Sequence, residues 1–115
     1  MTPEELNAAV AIEVMGWTHS EHPRCWSARK ETGSYFHLKT NWGPATCPVD
    51  ALTAIEHTEA LWECRKQPDG RYSAATYQGR PTILVAYEFG DTFAEAVARL
   101  ALAVARGKRN LREDT

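Results

Sequence analysis

The chain has 115 residues, 43% of them hydrophobic and 24% charged. That composition suits one folded domain with a single core and excludes a disordered chain. A net charge of -2 argues against a general nucleic-acid binder, which carries a basic face. No apolar run approaches the roughly 20 residues that span a bilayer.

Three cysteines, Cys25, Cys47 and Cys64, are an odd count without paired spacing, unlike a disulfide framework. Glu4 and Glu5 stand where a signal peptide would place basic residues. A cytoplasmic protein with reduced thiols is expected.

Thr2, Pro3 and Glu5 mark a helix start, a cap with its capping-box partner and a proline at the first position. Leu6, Ala9, Val10 and Val14 supply an apolar stripe, and Gly16 fits the left-handed residue that ends a helix. Trp17 can fold back onto that end. Residues 18–46 are rich in polar residues, glycine and proline. Strands are expected over Arg24–Ala28 and Ser34–Lys39, and a turn at Asn41–Pro44.

A second helix is expected from Pro48 to about Arg65, because Ala51, Leu52, Ile55, Thr58 and Trp62 share one side of a 3.6-residue wheel. Asp50 complements its positive end. Pro68-Asp69-Gly70 is a turn signal. A hairpin of Arg71–Tyr77 and Thr82–Phe89 follows. The run Ile83-Leu84-Val85-Ala86 does not alternate, as in a strand covered on both faces.

Thr92 and Glu95 form a further capping box, and Phe93, Val97, Leu100, Ala101 and Val104 a continuous stripe. Six alanines between Ala94 and Ala105 raise helix propensity, and Gly107 is expected to end the helix. One domain over residues 1–107 and a charged tail over 108–115 result. The cations Arg106, Lys108, Arg109 and Arg112 complement the helix dipole there.

Three segments resemble the phage ABA-sandwich domain family: Val10–Trp17 with its Val-Met-Gly-Trp ending, Pro48–Ala54, and the alanine-rich Asp91–Ala105. Pro48-Val49 replaces the family's usual Ser-Thr before Asp50, and residues 18–46 do not match. The resemblance implies an α+β, three-layer α-β-α sandwich with a small, largely antiparallel sheet, encoded by a phage or prophage. It carries no catalytic motif.

The residues present no nucleophile elbow and no glycine-rich phosphate loop, so no enzyme activity and no cofactor are expected. His19, His22 and Cys25 stand three apart, with His37 or Cys47 as a fourth ligand, but Pro23 argues for a loop and no known finger has this spacing. Surface histidines and a buried cysteine, without a metal, are expected. Glu13 reads as a solvated edge carboxylate.

The leading site is a composition. Trp17, Trp26, Tyr35, Phe36 and Trp42 are interleaved with Arg24, Arg29, Lys30, His37 and Lys39. Aromatic faces stack on bases, and cations hold phosphates. Trp26, Trp42 and Tyr35 would stack, and Arg24, Lys30 and His37 would contact phosphate. The expected function is a non-enzymatic phage accessory protein that sequesters a small nucleotide-type signal against host defence, acting as a homo-oligomer in the bacterial cytoplasm. The alternative is a protein-interaction module that binds a host protein through an exposed aromatic patch. A concave basic pocket would favour the first, a flat apolar patch the second.

Overall fold

The computed structural model describes the backbone of residues 1–21, 24–29, 35–39, 41–78 and 83–113, and the side chains of 1–19, 26–27, 41–77 and 86–107. It is an α+β protein with two small antiparallel sheets.

Helix α1 (Pro3–Ala9) begins at the expected cap, where Thr2 Oγ1 accepts from the Glu5 amide at 3.2 Å. It continues as one wider π-helical stretch over Val10–Val14. The widening brings Ala11 into the core beside Leu6 and Val10 and leaves Ile12 55% exposed. Gly16 takes the left-handed conformation at φ 72°, and the Trp17 amide donates to the Ala11 carbonyl at 2.9 Å.

Strands β1 (Thr18–Glu21), β2 (Arg24–Arg29) and β3 (Tyr35–Lys39) form the first sheet in that order. The chain then returns through residues 41–47 to helix α2 (Pro48–His57). Asn7 holds this return. Its carbonyl accepts from Trp42 Nε1 at 3.2 Å, and its Oδ1 from the Ala45 amide at 2.8 Å. Buried Asp50 accepts from the Gly43 amide at 3.0 Å.

Helix α2 is shorter than its periodicity predicts, and residues expected to extend it to Arg65 form a strand. Thr58 Oγ1 donates to the Ile55 carbonyl at 2.6 Å and accepts from the Ala60 amide at 3.3 Å. Glu59 turns left-handed at φ 60°. This local bonding competes with helix continuation, and strand β4 (Leu61–Lys66) follows. Trp62 lies on the predicted wheel by coincidence of spacing, since it also falls on the inward face of the strand.

Strands β4, β5 (Tyr72–Gln78) and β6 (Ile83–Gly90) make the second sheet in that order, with Glu63 opposite Ala75 and Ala75 opposite Tyr87. At the turn between β4 and β5, Gly70 has φ 90° and the Asp69 carboxylate accepts from the Arg71 amide at 3.0 Å.

Helix α3 (Phe93–Glu113) packs across this sheet, and α2 and the α1 segment pack on α3. The Thr92 cap holds as expected, accepting from the Glu95 amide at 3.1 Å. The stripe Val97, Leu100 and Ala101 is fully buried. The helix does not stop at Gly107, which lies inside it. A single glycine lowers helix propensity by about 1 kcal/mol without breaking a long helix. Small residues let α3 sit close to the sheet. A methyl on Gly90 would lie 2.4 Å from the Ala96 backbone nitrogen. Among the described residues, no helix is long and apolar enough to cross a membrane.

Candidate functional site

Of the six residues expected to form a nucleotide site, two have described side chains. Trp42 is 7% exposed, and its ring meets Trp17 edge-on at 4.7 Å. With its N–H donated to Asn7, it packs the helical core. Trp26 lies on β2, half-buried, with the exposed His19 ring of β1 at 4.9 Å. The side chains of Arg24, Tyr35 and His37, and all of Lys30, lie outside the described residues. So do the side chains of His22 and Cys25 in the three-apart metal spacing, and no group of three metal-ligating side chains occurs among the described residues.

The other face of the β4–β5–β6 sheet is the more developed surface. Side chains alternate along each strand. Trp62, Cys64, Tyr72, Ala74 and Ala86 pack toward the core and α3. Glu63 and Arg65, Ser73, Ala75 and Tyr77, and Tyr87 with Gln67 line an outer groove of about 170 Å³. Leu61 at 77%, Tyr87 at 47% and Phe89 at 36% leave large apolar side chains in solvent. Tyr87 and Phe89 form an aromatic ridge, their rings 4.9 Å apart at 88°, and the Arg71 guanidinium lies 5.0 Å from the Phe89 centroid.

The opposite rim is polar and internally bonded. Tyr77 Oη donates to Glu63 Oε1 at 2.7 Å, and Gln67 Nε2 to Ser73 Oγ at 2.6 Å. The phenol bond, aided by Arg65 at 3.4 Å, holds the Glu63 carboxyl below its usual range. The same bond pushes the Tyr77 phenol above its ordinary value. Between the rims, Ser73 and Ala75 form a small-residue floor.

Comparison with known protein families, curated proteins and solved structures finds no match. The geometry therefore carries the functional reading. This face offers one carboxylate satisfied by a phenol, two cations and an aromatic ridge. The groove lining joins a bonded acid–phenol pair, an arginine and a tyrosine around a small-residue floor. Sequence reasoning missed it because residues 58–65 fit a helical wheel. The signal that finds it is the period of two in Glu63-x-Arg65 and Tyr87-x-Phe89.

A second hollow, about 410 Å³, lies between α1, α3 and β6, lined by Leu6, Leu102, Glu88, Arg99 and Arg106. Its arginines are already engaged. Arg106 makes a bidentate pair with Glu13 at 3.1 and 3.0 Å, and Arg99 bonds the Phe89 carbonyl at 3.1 Å.

Proposed function

We propose that this protein is a non-enzymatic interaction module that docks a protein partner on the open face of the β4–β5–β6 sheet. The observation that carries the reading is the exposed Tyr87–Phe89 ridge on β6 with Arg71 against Phe89, together with exposed Leu61 and Arg65 on the other edge strand. Aromatic residues and arginine dominate interface hot spots, and exposed apolar patches mark interaction sites more often than they occur by accident. A photo-crosslinking amino acid at position 87 tests it in cells, with position 49 on α2, 68% exposed, as control. A protein adduct at 87 and none at 49 is expected. No adduct at 87 would end the reading.

A second reading keeps the nucleotide-type ligand, with Trp26 as its aromatic platform. Its support is the ring of Trp26, half-buried and flanked by His19, together with the phage-family resemblance. In this reading a phage-encoded protein sequesters a host signal in the bacterial cytoplasm. Calorimetry against cyclic dinucleotides and ADP-ribose derivatives checks it: heat is expected with the native chain and not with Trp26→Ala. The three-layer α-β-α arrangement belongs to the same resemblance. It calls for a covering layer on the open face, where a partner would supply it.

A further inference from the structure

We infer that the partner on this face is a second copy of the chain, stacked sheet to sheet about a two-fold axis. The inference rests on the docking reading above and names its occupant. Three observations converge on it.

The first is a mismatch between pattern and cover. Leu61, Tyr87 and Phe89 stay exposed on the outer face, while α3 covers the inner face and the other described helices pack on α3.

The second is the register. Glu63, Ala75 and Tyr87 form one cross-strand row, and Arg65, Ser73 and Phe89 the next row on the same face. Between them runs the inward row Cys64, Ala74 and Glu88. A two-fold axis along that middle row lays each outer row over the other in the second copy. Acid then faces base on β4, small residue faces small residue on β5, and aromatic faces aromatic on β6. Adjacent rows of one surface are thus complementary to each other, as an isologous interface requires.

The third is charge. Glu63 offsets Arg65, and Asp69 offsets Arg71 with carboxylate to Nε at 3.0 Å. Among the described residues these two pairs leave the face little net sign with which to select an acidic or basic stranger, whereas its own copy sets Glu63 opposite Arg65.

Size sets the affinity class. Three strands spaced about 4.8 Å apart and roughly 20 Å long present on the order of 300 Å² of projected face per copy. That belongs with weak interfaces, so association in the micromolar range is expected.

Sedimentation velocity of the full chain from about 1 to 500 µM tests this. A concentration-dependent rise toward twice the monomer mass is expected. Tyr87→Glu should weaken association at least tenfold. Glu63→Arg should do the same by placing two cations opposite each other, and the double variant Glu63→Arg with Arg65→Glu should restore it. Circular dichroism confirms that each variant is folded. A monomer at 500 µM overturns the inference, as does a dimer indifferent to Tyr87→Glu or one that the double exchange fails to rescue. If the chain is monomeric while position 87 still crosslinks to other proteins, the second copy falls and the docking reading stands. If neither signal appears, both fall.

Discussion

Replacing Gly90 by alanine probes the close approach of β6 to the first turn of α3. The added methyl would lie 2.4 Å from the nitrogen and 2.9 Å from the Cα of Ala96, and 3.0 Å from the carbonyl carbon of Glu95. All three atoms are backbone in the first turn of α3, so no side chain can rotate aside. Relief requires the helix start to move from the sheet by about 1 Å, loosening the buried contacts of Ala94, Ala96 and Val97. Overpacking of this kind costs about 1–3 kcal/mol, and a contact made only of backbone belongs at the upper end. The reduced freedom of the unfolded chain returns about 0.4–1 kcal/mol. The net loss is about 2–2.6 kcal/mol. For 115 residues, the unfolding entropy is about 240 cal/mol/K, so Tm falls by roughly 8–11 °C. Gly107→Ala is the matched control. It lies in the same helix with no described atom within 4 Å of the added methyl, and should raise stability by about 0.5–1 kcal/mol. Thermal and urea unfolding followed by circular dichroism measure both. A Tm for Gly90→Ala within about 2 °C of the native chain would refute the reasoning.

Thr76 is 2% exposed and its hydroxyl has no hydrogen-bond partner among the described residues. Thr76→Val should therefore stabilise by about 1 kcal/mol in urea unfolding, against the usual loss when a bonded threonine is replaced. Asn7→Ala removes the acceptor of the Ala45 amide. It should cost about 1–2 kcal/mol and red-shift tryptophan emission as Trp42 gains solvent. The Glu63–Tyr77 bond needs an ionised acid and a protonated phenol. With the Glu63 value lowered and the Tyr77 value raised, its contribution is present between the two ordinary values. It is lost as pH falls through the lowered acid value or rises through the raised phenol value. Absorbance titration should show one tyrosine ionising late, and Glu63→Gln should return it toward about 10.

Legibility followed the strength of local signals. The Thr92 cap, the stripe to Val104 and the Pro68–Gly70 turn each rest on a few adjacent residues, and the structure reproduces them. Two helix ends did not follow. Gly107 carries a stop signal that a well-packed helix overrides, and the stop after His57 depends on the Thr58 hydroxyl, a residue that also fits the wheel. Strand β1, Thr-His-Ser-Glu, has no apolar alternation to announce it. The open face was illegible for a related reason. Its rows join residues from three strands, so it emerges only once β4 is known to be a strand. In Trp42 the sequence shows an aromatic residue in a polar segment, and tertiary packing against Trp17 and Asn7 decides its role.

The meeting of Trp17 and Trp42 has a consequence for how such chains diverge. The polypeptide leaves the helical core at one ring and re-enters it at the other, with centroids 4.7 Å apart. Whatever lies between them starts and finishes at one doorway. Lengthening a flexible closed excursion costs only about 0.6 kcal/mol per doubling. Insertions between Trp17 and Trp42 should therefore cost the core little, while Asn7, Trp17, Trp42 and Trp26, which packs against the core from β2, are held in place. Descendants of this scaffold would keep the doorway and vary the room behind it.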